Sequence, residues 1–239
     1  MKELLLKIGV EVAPNTVRRY MPPRPPRTGN NGDQLWRTFI RNHARVIVAC
    51  DFATVYAKSL FRTTRIFYVF IAIEIGSRKI VHTNVTEHPT ALWTAQQLRE
   101  ALPGDAGYRF LIHDNDNIFS DLVDNAARQL DVEPIRTPFR APRANAFCER
   151  VIGTLRRECL DWIIPLGRRH LTAVVREWVA HYNRARPHSS LGPGIPDPPE
   201  GLPVPRQPHR HHLPNGYRVV PTPVLGGLHH EYRLEKIAA

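Results

Sequence analysis

The alternation of hydrophobic and polar positions predicts a run of strands and helices in the middle of the chain. After Arg45, RVIVACDFATV and IFYVFIAIEI are typical of β-strands, and KIVHTNVTEH alternates like a strand at the edge or face of a sheet. Further segments follow: the strands YRFLIHD and VEPIRT, the helices TALWTAQQLREAL and SDLVDNAARQL, a long helix from about Asn145 to Trp162, and another near Arg168 to Arg184. The order β-β-β-α-β-α-β-α-α predicts an α/β fold with helices on the faces of a mixed five-stranded sheet.

The two ends of the chain differ from this middle part. Residues 2–21 resemble the last two helices of a helix-turn-helix DNA-binding unit whose first helix is missing, and the alternative is a docked or frayed arm. The proline-rich stretch from Met21 to Asp33 indicates a linker, and a second such stretch follows Gly192. We therefore expect three parts: an N-terminal arm and linker at 1–44, a folded core at 45–192, and a proline-rich tail at 193–239.

The charge of the chain points to a polyanionic partner. Its 239 residues carry a formal net charge of +11, and the sequence pI is about 10.1. Such a surplus favours nucleic acid first and an anionic membrane surface second, and a solvated basic surface is the alternative. Three scattered cysteines predict neither a disulfide framework nor a cysteine zinc site. With no signal-peptide pattern and no apolar run longer than residues 66–73, we expect a cytoplasmic protein without a membrane partner.

Three acids stand where the predicted elements would bring them together. Asp51 lies in or near the end of the first strand, Asp114 ends the fourth strand, and Glu149 lies in the first turns of the long helix. Ligands of α/β sheets gather at strand ends, and an acid inside an apolar strand is costly unless something satisfies it. Carboxylate-only sites suit Mg²⁺ or Mn²⁺, and three carboxylates can hold two such ions about 3.5–4 Å apart. Each acid taken alone would more often be a turn residue or a helix cap.

The long helix adds two stripes to this pattern, with Asn145 as its predicted cap. An apolar stripe is expected to face the sheet and consists of Cys148, Val151, Ile152, Leu155 and Cys159. A polar stripe beside it consists of Asn145, Glu149, Gly153 and Arg156. This polar stripe can place Glu149 on a metal, let a DNA backbone approach Gly153, and bring Arg156 to a phosphate. The alternative is a solvated helix face.

At these residues the chain resembles a known family. The segments CDFATV, LIHDND, RAPRANAFCERVIGTLRRECLD and HYNRARPHSSL, in this order, are similar to the integrase-type catalytic core of bacterial insertion-sequence transposases, the DDE family shared with retroviral integrases. The resemblance spans about Val46 to Leu191. It implies a ribonuclease-H-like fold and cleavage and joining of DNA strands with two Mg²⁺ or Mn²⁺ ions. It further implies DNA as partner, homo-oligomers on DNA, and a bacterial cytoplasmic location at the nucleoid.

The resemblance also implies roles for individual residues. Asp51, Asp114 and Glu149 take the places of the catalytic, metal-binding acids, and Asp116 is expected to have a turn or supporting role. Between Asp114 and Glu149 lie 34 residues, one fewer than the family's commonest spacing. The residues expected to bind DNA are Arg143, Asn145, Arg150, Arg156 and Arg157. The segment YNRARPH is expected to terminate and pack the last helix.

Two alternatives share this fold. A truncated or inactive integrase-fold remnant would bind DNA without cutting it, because only the last part of the helix-turn-helix region of complete transposases is recognisable here. A ribonuclease-H-like nuclease would share the metal chemistry without joining strands. Five histidines near the C-terminus lack supporting cysteines or acids, so we do not expect a metal site there. They are His209, His211, His212, His229 and His230.

Overall fold

The structure is a computed structural model in which residues 31–58, 64–137, 145–191, 194–200, 213 and 215–237 are described. The chain divides into two compact units, Met1–Asn42 and His43–Ala239. The predicted helix-turn-helix at 2–21 and the predicted DNA-binding residue Arg143 lie outside the described residues. Within the described ranges, no helix is both long enough and apolar enough to cross a membrane.

The second unit follows the predicted order of strands and helices. Helix α1, Asn31–His43, lies mostly in the first unit. The sheet strands are β1 Ile47–Lys58, β2 Thr64–Glu74, β3 Ile80–Thr86, β4 Phe110–His113 and β5 Glu133–Arg136. The helices are α2 Ala91–Ala101, α3 Asp121–Arg128, α4 Ala146–Leu155 and α5 Arg168–Arg184. One π-helical turn, Arg156–Leu160, extends α4, and two further strands are β6 Tyr217–Val224 and β7 His229–Lys236.

Five strands form one mixed sheet in the order β3-β2-β1-β4-β5. Strands β3, β2 and β1 pair antiparallel, whereas β1, β4 and β5 pair parallel. The antiparallel half needs only short turns, and the parallel half needs the crossover helices α2 and α3. The predicted mixed five-stranded sheet is therefore confirmed, and β3 lies at the sheet edge.

Helices cover both faces of this sheet. A core cluster between the sheet and helices α2 and α3 includes Val48, Phe70, Leu98, Leu111 and Val123, all with 0% exposure. Residues 47–50 of β1 are all fully buried. Because side chains alternate along a strand, the opposite face of β1 is covered too, and there α4 contacts β1 and β2 while α5 contacts β3. The apolar runs of β1 and β2 therefore reflect burial on both sides.

Helix α1 was not predicted. It begins at Asn31, inside the stretch predicted as a linker to Asp33, so the end of the linker prediction is wrong. The signal was present, because Leu35, Trp36 and Phe39 follow helical spacing. The rings of Trp36 and Phe39 stack with centroids 5.7 Å apart.

The hairpin of β6 and β7 was not predicted either, and it docks on α5. The Nδ1 atom of His181 lies 3.0 Å from Oε1 of Glu231, and the Leu225 N–H donates to Glu177 at 2.6 Å. Val224 is buried at the end of β6. These contacts join the hairpin to the same compact unit as the sheet.

Asn183, in the YNRARPH segment, ties the end of α5 to the sheet edge. Its Oδ1 accepts a hydrogen bond from the Ile80 N–H, and its Nδ2 donates to the Ile80 carbonyl, both at 2.9 Å. The amide side chain thus satisfies both backbone groups of the first residue of edge strand β3. The segment therefore terminates and packs the last helix, as predicted.

We expect Asn183→Ala to lower the free energy of unfolding by about 2–3 kcal/mol, because it leaves two buried backbone groups of Ile80 without partners. For a domain of this size the thermal midpoint should fall by about 5–10 °C. The control is Asn125→Ala, which removes only an exposed hydrogen bond to Arg128. Equal midpoints for the two variants in thermal unfolding followed by circular dichroism would contradict this role of Asn183.

Candidate active site

Asp51 lies well inside β1, because the strand continues to Lys58. The parallel pairing of β1 with β4 extends only from Ile47 to Ala49. Beyond Ala49 the edge of β1 that faces β4 is free, so Asp51 lies at the carboxyl end of the parallel half of the sheet. Ligands of α/β sheets bind at this end.

Asp114 follows directly after β4 and lies level with Asp51. Ala49 pairs with Ile112, so two further residues on each parallel strand bring the two acids side by side. Asp114 is half-buried, and its Oδ1 accepts a hydrogen bond from Thr137 Oγ1 at 2.8 Å. Since Thr137 follows β5, all three parallel strands contribute to one edge.

Asp116 has a local role in the turn after β4. It is exposed, and its Oδ1 accepts a hydrogen bond from the Asn117 N–H at 2.6 Å. Its carbonyl accepts a second one from the Phe119 N–H at 2.9 Å. Asp114, rather than Asp116, is therefore the acid that lies beside β1.

A buried network fixes the backbone of Asp114. His113 is fully buried, with Nδ1 2.8 Å from the Asp114 carbonyl oxygen and Nε2 2.9 Å from Asp124 Oδ1. Arg136 Nε donates to the other oxygen of Asp124 at 2.8 Å. Sequence reasoning missed this network, and the histidine at the end of an apolar strand was its one visible sign.

Glu149 lies exposed in the first turns of α4, and Asn145 anchors the start of that helix. Asn145 stands at the N-cap position, as predicted, but its side chain makes no cap hydrogen bond. Its Nδ2 instead donates to the Cys50 carbonyl at 3.3 Å, where β1 has lost its neighbour β4. Its Oδ1 is buried without a hydrogen-bond partner. Asn145 thereby holds the helix start beside Asp51.

The apolar stripe of α4 faces inward as predicted, with one exception. Cys148, Val151, Leu155 and Cys159 are buried, whereas Ile152 is only half-buried. This packing leaves Glu149 on the adjacent side of the helix.

Electrostatics show that the acids lie near one another. Burial first, and then the charges of Asp114, Glu149 and Asp116, raise the pKa of Asp51 from its ordinary 3.8 to about 7. A hydrogen bond from the Phe52 N–H, 2.7 Å from Oδ1, opposes these effects. Asp51 is therefore half-buried among like charges, which favours its neutral form.

The thiols beneath these acids are held neutral. Burial raises the pKa of Cys50 and of Cys148 well above the ordinary value, and the charges of Asp51 and Asp114 add to the effect at both thiols. All three cysteines of the chain are free and buried.

The donor set fits a divalent cation, although it is not preassembled. Three carboxylates and the unpartnered amide oxygen of Asn145 are the hard oxygen ligands that Mg²⁺ and Mn²⁺ accept. Among the described residues, no three His, Cys, Asp or Glu side chains lie close enough together to hold a metal. Like charges repel, and separate hydrogen bonds hold Asp51 and Asp114, so a bound cation would have to draw the acids together.

The described arginines predicted to bind DNA fall into two groups. Arg156 Nη2 donates to the Thr54 carbonyl at 3.0 Å, which fixes this side chain against β1 beyond Asp51. Arg157 extends beside Gly153, where a Cβ would lie 3.0 Å from its Nη1. Arg150 is exposed and lines a separate pocket on the side of α4 away from Arg156.

Comparison with known proteins points to one family. Residues 130–196 match the family model described as "Integrase core domain". The "Insertion element IS476 uncharacterized 39.2 kDa protein" of Xanthomonas euvesicatoria is 39% identical over 67 residues, which cover 27% of this chain and 19% of that relative. The chain therefore matches about a fifth of the length of this curated relative. The range matched by the family model contains Glu149 and the segment YNRARPH, whereas Asp51 and Asp114 precede it.

A solved transposase domain shares the fold. The catalytic domain of the Mos1 mariner transposase aligns with a TM-score of 0.52 over 67% of this chain and 85% of that chain, at 13% identity. A simian T-cell lymphotropic virus intasome in complex with PP2A regulatory subunit B56 gamma aligns with a TM-score of 0.49 over 79% of this chain and 66% of that chain, at 14% identity. The predicted ribonuclease-H-like fold and the resemblance to insertion-sequence transposase cores are confirmed.

We expect Asp51→Asn to stabilise the metal-free protein at pH 8 but not at pH 4. A folded pKa near 7 means that the unfolded chain releases its proton first, so stability falls as pH rises from about 4 to 7 and stays lower above. The variant cannot ionise, so its free energy of unfolding at pH 8 should exceed that of the wild type by about 1–3 kcal/mol.

This prediction is checked by urea unfolding in EDTA at both pH values. The control is Asp116→Asn, which alters an exposed acid in a turn. Its free energy of unfolding at pH 8 should rise much less than that of Asp51→Asn. A destabilised Asp51→Asn at pH 8 would show that the charged carboxylate has a stabilising partner.

Proposed function

Because the chain carries an integrase core domain on a ribonuclease-H-like fold, we propose that it is a DNA strand transferase of the DDE type. In this proposal Asp51, Asp114 and Glu149 are the catalytic acids, and the reaction cleaves and joins phosphodiester bonds with two Mg²⁺ or Mn²⁺ ions. Its substrate is DNA, to which the net charge of +11 is complementary.

One observation carries the proposal: Asp51 lies half-buried inside β1, level with Asp114 after the neighbouring strand β4. Burial raises the pKa of Asp51, and the charges of Asp114 and Asp116 after β4 and of Glu149 on α4 add to this effect. An acid inside a strand, surrounded by acids from two other elements, destabilises the fold unless a cation binds there. This arrangement is expected of a metal-dependent phosphodiester enzyme and has no evident structural purpose.

Each residue of the candidate site has a separate role in this proposal. Asp51 and Asp114, on neighbouring strands, and Glu149, on α4, would hold the cations. Bound cations would supply charge neutralisation at the phosphate and activation of a water or 3′-hydroxyl. Thr137 fixes the rotamer of Asp114, while Asn145 positions the start of α4. Arg156 and Arg157 extend from the far end of α4, where they can bind the DNA backbone on either side of the reacting bond.

The wider organisation remains a proposal as well. We infer that residues 1–44 carry part of a DNA-recognition region, that 45–192 form the catalytic core, and that 193–239 are a C-terminal extension whose β6–β7 hairpin docks on that core. Because two DNA ends must be joined together, several copies of the chain would act on one DNA assembly. An inactive DNA-binding remnant is the competing function, and metal binding distinguishes the two.

We expect Asp114→Asn to abolish Mn²⁺ binding by the protein. The variant should also reduce the rate of Mn²⁺-dependent nicking of supercoiled plasmid DNA by at least 100-fold. Asp116→Asn is the matched control, since it removes an acid two residues away that closes a turn. Calorimetry measures the binding, and agarose electrophoresis measures the nicking.

The opposite pattern, in which Asp116→Asn is inactive and Asp114→Asn is not, would overturn the assignment of the acids. A wild-type protein that binds DNA but no Mn²⁺, even on DNA, would support the remnant instead. Joined products, detected by sequencing new junctions, would separate a strand transferase from a nuclease.

A further inference from the structure

A second concave site lies on the other side of α4 from Arg156. It is a cavity of about 330 Å³ between the end of β2, the first turns of α4 and the segment that follows α5. Its lining includes Arg78, Arg150, Arg186 and His188, together with the rings of Phe147 and Tyr182. We call this cavity the arginine pocket. Four of its lining residues belong to YNRARPH, so this segment does more than end a helix.

The positive charge of the arginine pocket is only partly compensated. Arg186 forms two hydrogen bonds with Glu158, at 2.8 and 2.6 Å. Among the described residues, neither Arg78 nor Arg150 forms an ion pair with a carboxylate. Burial, and then the charge of Arg150, lower the pKa of the Arg78 guanidinium below its ordinary value. The two guanidinium groups therefore repel each other in a site that an anion would stabilise.

Two buried nitrogen atoms in the pocket lack partners. Nη1 of Arg78 and Nε2 of His188 are both buried without a hydrogen bond, and the whole His188 residue is only 9% exposed. An unsatisfied buried polar group costs about 1–3 kcal/mol, and more when it is charged. Such groups are rare in folded proteins, so the unpartnered guanidinium donor of Arg78 in this cavity indicates a missing ligand that accepts hydrogen bonds.

The backbone of Arg78 is strained in a way that serves the pocket. Its φ angle is 67°, in the left-handed region that favours glycine or asparagine, within the turn between β2 and β3. An arginine there costs stability that asparagine would avoid. Its guanidinium lies over the Phe147 ring, with CZ 4.1 Å from the centroid, and faces the cavity. The strain is explained if this position must carry a cation.

We propose that the arginine pocket is a phosphate-binding site that takes a backbone phosphodiester of the DNA. Guanidinium groups bind phosphate oxygens through charge-assisted hydrogen bonds, and the serine hydroxyls at 189 and 190 add neutral donors. The choice of DNA rests on the proposed function, whereas the phosphate chemistry rests on the pocket alone.

The pocket is close enough to the candidate active site for one DNA molecule to reach both. Arg150 follows Glu149 directly on α4. Ile73 lines the pocket two residues along β2 from Ile71, which pairs with Asp51. A strand rises about 3.3 Å per residue, so the pocket wall begins roughly 7 Å from the level of Asp51. Phosphate held there would fix the register of the DNA at the acids.

The first test measures thermal unfolding of the full chain in EDTA, with inorganic phosphate titrated against chloride at constant ionic strength. Phosphate should raise the midpoint of the wild type, and Arg78→Asn should weaken this effect at least 10-fold. Without phosphate, Arg78→Asn should unfold at or above the wild-type temperature, because asparagine accepts the backbone angle. The matched control is Arg109→Asn, which removes an exposed arginine over the ring of Phe110 and should respond like the wild type.

The second test measures the affinity for a short DNA duplex in EDTA by fluorescence anisotropy, at several salt concentrations. Arg78→Asn should weaken binding about 3- to 30-fold and reduce the salt slope by about 1, whereas Arg109→Asn should not. Arg150→Gln gives the same readout if Arg78→Asn fails to fold. Neither test needs metal or catalysis. Their results can therefore be interpreted even if the protein turns out not to be a strand transferase.

Three outcomes would overturn the proposal. A wild type that phosphate does not stabilise beyond chloride excludes a phosphate site. Phosphate stabilisation that Arg78→Asn retains places the anion elsewhere. If Arg78→Asn loses the stabilisation by phosphate but binds the DNA duplex as tightly as the wild type, the pocket is a site for free phosphate groups rather than for DNA.

Discussion

The parallel ladder between β1 and β4 ends at Ala49 and Ile112, while β1 continues to Lys58. This difference in length opens a free strand edge beside Asp51 and places Asp114 next to it. The edge needs a substitute partner, and Asn145 supplies one by donating to the Cys50 carbonyl. That bond in turn sets the start of α4 and the position of Glu149. The candidate active site therefore depends on β1 continuing beyond the last residue that pairs with β4.

Helix α4 separates two clusters of opposite charge, each of which is unfavourable alone. On one side three carboxylates raise the pKa of Asp51, and on the other two guanidinium groups lack carboxylate partners in the described part of the chain. Other parts of the fold offset the destabilisation by these clusters. They are the sheet buried on both faces, the hydrogen bonds of Asn183 and the docked hairpin. DNA brings phosphates and its bound cations together, so a single ligand can neutralise both sides of α4.

Sequence reasoning predicted those features that depend on local pattern. The strands of the sheet were visible because they are long apolar runs, and α5 has the predicted bounds because helical spacing stops before Pro187. Asp114 could be placed because it ends such a run. Contacts between distant residues could not be predicted: Thr137 reaches Asp114 across 23 positions, and Asn145 reaches Cys50 across 95. No local pattern encodes such a pairing.

The hairpin was missed for a different reason. Prolines at 221 and 223 argue against a strand, yet β6 belongs to a two-stranded ribbon in which one edge needs no partner. Asn145 was correctly predicted as the N-cap residue of α4, but its bond to the Cys50 carbonyl of β1 could not be predicted. The arginine pocket was invisible because Arg78 lies far from YNRARPH in the sequence.

The neutral thiols under the acids bear on which metals the proposed site can discriminate. Cys50 and Cys148 lie close enough to Asp51 for its charge to raise both of their pKa values. A protonated thiol is a poor ligand, and soft metals such as zinc gain their advantage over magnesium from thiolate sulfur. By keeping both sulfur atoms protonated and buried, the fold presents oxygen atoms alone to a cation. Abundant hard cations can then compete at this position with scarce metals that bind more tightly to nitrogen and sulfur.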